Sequence, residues 1–398
     1  MDSTFLSRLA QPAAQGGRIL LCVLDGLGGL PDPKTGRSEL ETARLPNLDA
    51  LAARSSLGLA EPVAPGITPG SGPGHLALFG YDPIQTEIGR GALSAAGVNF
   101  PLEKGDVAAR ANFATLDAEG RVVDRRAGRI PTEICIERCK RLSGIPGVFV
   151  SPEKDHRAVV VFRGKGLDPA VTDTDPQKTG VAPLDCKAKS PKGAALAKRV
   201  NAFLAEARKR LKGEPQANGM LLRGFDVRPD LPSLESLYRL KATAVASYPM
   251  YKGLARLAGM RVVEGLPDFE AELKALPEAV SSSDFVFLHY KPTDSAGEDA
   301  DFAKKVAALE AYDAAVPRIL AAGADVVAVT GDHSTPAAMG VHSWHPVPFL
   351  LSSRWCRHEG APGFSERSCA RGMLGRFPLK EGMALMLAHA GRLAKYGA

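Results

Sequence analysis

Short, wholly apolar runs that stop at polar or acidic residues are the strongest constraint on how this 398-residue chain can fold. RILLCVL (18–24) ends on Asp25 and a glycine turn, and DFVFLHY (284–290), ADVVAVT (324–330) and PVPFLLS (346–352) repeat the pattern late in the chain. Runs of this length without polar alternation predict strands buried on both faces. Helical spacing follows in LPNLDALAARSSLG, with Pro46 near its start and Gly58 as a plausible stop, and returns over about 301–322 and 380–395. Strands alternating with helices predict an α/β unit, a mostly parallel sheet flanked by helices.

The middle of the chain obeys a different grammar. Between 98 and 241 lie short candidate strands (VAARANFATLD, RVVDRR, RAVVVFRG, GMLLRGFD), one clear helix over 191–212 and turn-rich stretches such as GLDPAVTDTDPQKTG. The expected organisation is therefore an α/β domain made of 1–97 and 242–398, interrupted by a smaller α+β domain at 98–241. Length agrees, because single cores stop growing near roughly 250–300 residues.

Charge narrows the partners. The net charge of +6 is spread without a dense basic run or interleaved aromatics, which argues against nucleic acid and for a small anionic ligand. Six cysteines without CxxC spacing read as reduced thiols, so the expectation is a cytoplasmic protein. The start, MDSTFLSRLAQPAAQGG, lacks the apolar core of a signal peptide, and no stretch is apolar enough to span a membrane. Oligomeric state is left open.

Ligands of open parallel sheets gather beyond the carboxyl ends of the strands. Asp25, Asp294, Asp332 and His333 fall at such ends, with Glu298 four residues after Asp294 and with His342 and His345 just before the next strand. An aspartate after a strand is commonly a turn or cap, but four chemically apt residues at equivalent ends suit divalent cations: Mn2+, Mg2+ or Zn2+, with donors enough for two. ITPGSGPGHLALFGYDP sets Ser71 between glycines and prolines before a helix, with His75 nearby and no carboxylate to complete a triad. A cation that lowers the pKa of its hydroxyl removes the need for a base, and a helix start offers N–H groups to phosphate. A solvated Gly/Pro turn remains the alternative for that segment. Likewise, RVVDRRAGR reads either as an anion site or as a solvated basic face.

Taken together, DGLGG, TPGSGPGHLALFGYDP, RANFATLD, VVDRRAGRI, TDSAGED, TGDHSTP and HSWHPVP resemble the archaeal-type, cofactor-independent phosphoglycerate mutases of the alkaline phosphatase superfamily, in order from about Arg18 to the last helix. The resemblance implies an alkaline-phosphatase-like domain with two metal ions, Mn2+ first among them, and an insert that grips phosphoglycerate, with no need of 2,3-bisphosphoglycerate. It implies that Ser71 is the serine that becomes phosphorylated and that Asp25, Ser71, Asp332 and His333 hold one metal. Asp294, Glu298 and His342 fall where ligands of the other lie. Arg110, Asp124, Arg125, Arg126 and Arg129 match substrate-binding positions, Lys252 a lysine at the phosphoryl site, and His75 and His156 lie in motif segments that could touch substrate. Two departures stand out: Glu298 replaces a common histidine, and Gly72 and Pro73 replace a polar pair.

The expected reaction is interconversion of 3-phosphoglycerate and 2-phosphoglycerate through phosphorylated Ser71, with hinge motion near 95–99 and 241–248 retaining the glycerate. The rivals are another phosphotransferase or phosphomonoesterase of the same superfamily and a non-catalytic metal-binding protein. A dinucleotide-binding oxidoreductase fails because Pro31 stands where GxGxxG needs its third glycine.

Overall fold

The computed structural model describes residues 3–11, 16–358 and 360–397. Two compact units emerge: one of 1–87, 231–251 and 258–398, the other of 88–230 and 252–257. In chain order, β1 (Ile19–Leu24) and β2 (Ser56–Glu61) begin the first unit. The second contains β3 (Val107–Leu116), β4 (Val122–Asp124), β5 (Val148–Lys154), β6 (Arg157–Phe162) and β7 (Gly219–Asp226). The chain returns with β8 (Ala242–Val245), β9 (Arg261–Val262), β10 (Phe285–Tyr290), β11 (Val326–Thr330), β12 (Val347–Ser353) and β13 (Gly375–Pro378).

In the first unit eight strands form one sheet in the order β13-β2-β12-β11-β1-β10-β8-β9. Only the β11/β12 and β12/β2 pairs are antiparallel, so the sheet is mostly parallel as the apolar runs predict. Every residue of β1 is buried, and so is every residue of β10 and β11. Leu20, Cys22 and Leu24 share a core with Leu309, Tyr312 and Val316 of the helix Phe302–Ala321, which covers one face. Register aligns the strand ends that matter: Leu24 lies beside Tyr290, and Val23 beside Thr330. Residues that follow these three strands therefore emerge at one edge.

The second unit is an antiparallel sheet in the order β4-β3-β6-β5, with β7 on the other side of β3. Leu196, Val200 and Phe203 of the helix Ala194–Arg210 pack on Phe113 and Phe162 of that sheet, giving the α+β character expected. Among the described residues, no helix is long and apolar enough to cross a membrane.

Several local expectations differ from the structure. Gly58 does not end a helix: that helix is Pro46–Ala52, and Gly58 lies inside β2, where a Cβ would come within 2.7 Å of the Gly375 carbonyl oxygen on β13. The last helix is shorter than 380–395, spanning Gly382–His389. The units divide at 87/88 and 230/231, not at 97/98 and 241/242. Ala92 and Ala95 of the helix Arg90–Gly97 explain the first difference, because they are buried with Ala108, Val159 and Val161 of the second unit. The stretch 95–99 thus belongs to that core, and 241–248 contains β8 of the large sheet.

Candidate active site

Asp25, Asp294, Asp332 and His333 are completely buried together at the carboxyl edge of β1, β10 and β11. Local backbone features bring them there. Gly26 takes φ of +65°, and a Cβ on it would lie 2.5 Å from Thr335 Oγ1 and 2.9 Å from Asp294 Oδ1, so only glycine allows this turn against the neighbouring strand's loop. Beneath the turns, the buried Lys305 donates to the carbonyl oxygens of Gly26, Gly28 and Thr335, each at 2.9 Å.

The donors form two groups that share His333: Asp25, Asp332 and His333, and Asp294, His333 and His342. Thr335 fixes the imidazole. Its hydroxyl donates to Asp294 Oδ1 at 2.7 Å and so accepts from His333 Nδ1 at 2.9 Å. That tautomer leaves a lone pair on Nε2, which lies 3.2 Å from Ser71 Oγ, 3.3 Å from Asp25 Oδ1 and 3.2 Å from Asp332 Oδ2. Burial keeps His333 below its ordinary pKa despite the adjacent Asp332 and Asp25. Asp25 Oδ1 and Asp332 Oδ2 are themselves buried without a hydrogen-bond donor. Acceptors that face one another with no proton between them are costly unless a cation sits among them, and mixed carboxylate and imidazole donors fit a divalent ion.

Ser71 opens the helix Ser71–Leu78, which Gly74 lets lie against Asp332: a Cβ there would fall 2.2 Å from the Asp332 carbonyl oxygen. His75 is wholly buried on that helix, its Nδ1 2.9 Å from the Ser71 carbonyl oxygen and 3.2 Å from Asp332 Oδ2. Its Nδ1–H is committed to the Ser71 carbonyl while the ring packs beside Asp332; a side chain with no exposed surface has no face for substrate, contrary to the expected contact. His342 stacks on His333 with ring centroids 3.6 Å apart, and its Nε2 is 3.6 Å from Asp294 Oδ1. Glu298 stands at the margin, its side chain 56% exposed and 3.8 Å from His342 Nε2, outside both donor groups. His345 turns to Ser343 Oγ at 3.0 Å and stacks on Trp344.

In the second unit a cavity of about 170 Å³ is lined by Arg90, Arg110, Arg125, Arg126, Arg157 and Arg223 together with Asn112 and His156. Strand register produces this concentration: Arg110 on β3 sits opposite Arg223 on β7, and Asn112 opposite Arg157 on β6. Like charges directly across a ladder repel. Asp175 partly offsets them, accepting a bidentate pair from Arg125 at 2.9 and 2.7 Å with Arg223 at 3.4 Å. An anion with several oxygens would offset the remaining positive charge. Burial, then Arg157 and Arg126, push His156 down to about 4, so it is neutral among the guanidinium groups. Asp124 and Arg129 do not line the cavity. Asp124 instead accepts from the backbone N–H groups of Arg126 and Gly128, both at 2.7 Å, and shapes the turn that carries Arg125 and Arg126, while Arg129 is exposed. Lys252 is half-buried on the helix Pro249–Leu257.

A profile of the 2,3-bisphosphoglycerate-independent phosphoglycerate mutases matches residues 52–217. A probable 2,3-bisphosphoglycerate-independent phosphoglycerate mutase of Thermus thermophilus is 52% identical, with 99% of this chain and 98% of that protein aligned. The chain belongs to this family. Among solved structures, a Pyrococcus horikoshii protein superposes with a TM-score of 0.82 at 31% identity, covering 96% of this chain and all of that one. The cofactor-independent phosphoglycerate mutase of Thermoplasma acidophilum gives 0.71 at 31% identity, covering 94% of this chain and all of that one.

Around this mutase-family centre lie residues that sequence reasoning missed. Tyr251, His289 and Lys291 all reach Asp25 Oδ2. Arg90, Asn112, Arg157 and Arg223 complete the cavity. A signal existed for some: Lys291 directly follows the DFVFLHY run, and Asn112 stands two residues after Arg110, on the same face of its strand.

Proposed function

We propose that this protein is a cytoplasmic phosphoglycerate mutase that interconverts 3-phosphoglycerate and 2-phosphoglycerate through phosphorylated Ser71. The observation that carries this reading is the convergence of two three-donor groups on His333, with the Ser71 hydroxyl 3.2 Å from its Nε2. Asp25, Asp332 and His333 Nε2, with Ser71 beside them, would hold one divalent cation; Asp294 and His342, with Glu298 at the margin, would hold a second. Bound there, the cations, Mn2+ before Mg2+ or Zn2+, supply Lewis acidity that lowers the pKa of a neighbouring hydroxyl and offsets phosphoryl charge.

The chain's own groups do the rest. Ser71 loses its proton as its oxygen bonds to phosphorus, and the bond from phosphorus to the 3-oxygen of the glycerate breaks, that oxygen taking up a proton. The 2-hydroxyl then loses its proton as its oxygen attacks the phosphoserine, and Ser71 is regenerated. Lys252 is assigned to the equatorial oxygens of the transferring group, and the arginines of the cavity to the anionic groups of the glycerate. Support for the role of the arginines comes from the cavity's charge, and the family's name excludes a requirement for 2,3-bisphosphoglycerate.

The test uses Ser71→Ala. Wild type incubated with 3-phosphoglycerate and Mn2+ is expected to show a phosphoseryl peptide at Ser71 by mass spectrometry, and the variant to lose both adduct and turnover by at least about 10³-fold. Full turnover in the variant, or release of free phosphate as the sole product of the wild type, rejects the mutase reading.

A further inference from the structure

Lys291 ties the two donor groups together. It precedes the helix Pro292–Glu298, at the carboxyl end of β10, and its ammonium donates to Asp25 Oδ2 at 3.1 Å and to Asp294 Oδ2. It also donates to the Tyr251 hydroxyl at 3.1 Å and lies 5.8 and 5.6 Å over the Tyr248 and Tyr251 rings. Those rings limit the paths open to a flexible stem. Asp25 and Asp294 belong to different donor groups, so this side chain contacts one carboxylate of each.

The distribution of bonds on each carboxylate is uneven. Asp25 Oδ2 takes Lys291, the Tyr251 hydroxyl and His289 Nε2, whereas Asp25 Oδ1 has no hydrogen-bond donor at all. Asp294 Oδ2 takes Lys291, while Oδ1 takes Thr335 and faces His342. In both, the ammonium saturates the outer oxygen and turns the inner one toward the other donors. A cation-binding carboxylate whose second oxygen is engaged is held in one orientation, and removing such a support typically costs about 10–100-fold in metal affinity.

We infer that Lys291 is a positioning residue that bridges the two cation sites, orienting Asp25 for one and Asp294 for the other. The inference rests on the proposed metal centre and deepens it. Tyr251 and Thr335 provide the contrast, because Asp25 is the one carboxylate that the Tyr251 hydroxyl is bonded to among the described residues, and the Thr335 hydroxyl reaches Asp294 and His333. A bridge and a one-sided support therefore predict different binding patterns.

The experiment titrates chelator-treated protein with Mn2+ by calorimetry, comparing wild type with Lys291→Met and Tyr251→Phe. Two ions are expected to bind the wild type. Lys291→Met is expected to weaken both by about 10–100-fold, and Tyr251→Phe to weaken one. Circular dichroism and the melting temperature without metal check that each variant folds. If Lys291→Met does not fold, Lys291→Gln takes its place with the same expectation. Lys291→Arg, which keeps charge and donors, should recover part of the lost affinity. Unchanged binding in the uncharged variants, tighter binding, or weakening of one ion alone overturns the bridge and leaves the metal centre standing. A wild type that binds no Mn2+ overturns the metal centre, and the bridge with it.

Discussion

His156 shows how a single side chain records its surroundings. Its Nδ1 is buried without a hydrogen-bond partner, and burial, Arg157, Arg126 and Arg110 disfavour its charged form while Asp155 favours it. The net result is a fall from 6.5 to about 4. In the unfolded chain the imidazole takes up a proton near 6.5, so between that pH and about 4 the unfolded state binds more protons than the folded one. Stability from this group is thus fully present above about 6.5 and is lost progressively as the pH falls toward 4. Denaturant titrations of wild type and His156→Gln at several pH values across that window are expected to show a shallower dependence in the variant; parallel curves would remove His156 as a source. The sequence revealed that a histidine lay in this segment but not its state, because its neighbours Arg110 and Arg126 come from other parts of the chain. Asp25, Asp332 and His333 were legible for the opposite reason: each follows an apolar run, and parallel register carries such residues to one edge.

At the scale of elements, apolar runs located β1, β10, β11 and β12 to within about two residues, because strands buried on both faces leave no room for polar alternation. Partly exposed strands carried no such signal. β5 was missed: its VFVSPEK contains a proline and a lysine, and it lies at the sheet's edge beside β6. β2 was hidden by Gly58, which reads as punctuation locally and becomes a close-approach residue only once β13 lies beside it. The helix Ser71–Leu78 offers a direct test of such an approach. Gly74→Ala would drive a methyl group into the Asp332 backbone carbonyl, and neither that backbone nor the helix can yield cheaply. Strain of this kind costs about 1–3 kcal/mol. The expected outcome is a melting transition lowered accordingly in the variant and a larger fractional loss of mutase turnover, since the shift moves Ser71 away from His333. Wild-type turnover with a lowered melting temperature would show that the helix start does not need its present position.

Across the whole molecule the two chemistries are carried by different units: the donor groups and Ser71 by the first, the arginine cavity by the second. A chain that only hydrolysed phosphate esters would need the donor groups, Ser71 and Lys252, but not the arginine cavity. A mutase must also keep hold of the dephosphorylated glycerate until the other hydroxyl is rephosphorylated, and on our reading that falls to the guanidinium groups. Neutralising Arg110 and Arg157 together, as Arg110→Met with Arg157→Met, should therefore divide the activities. Conversion of 3-phosphoglycerate to 2-phosphoglycerate is expected to fall by about 10²- to 10⁴-fold, in line with two charge-assisted contacts worth roughly 1.5–3 kcal/mol each. Mn2+ binding and phosphorylation of Ser71 by a small aryl phosphate are expected to survive, because neither draws on the cavity. The same variant should release a larger share of free phosphate per turnover, water replacing the lost hydroxyl acceptor. Equal losses of mutase turnover and aryl phosphate reactivity would instead assign these arginines to the phosphoryl-transfer step itself, and the division of labour between the units would have to be redrawn.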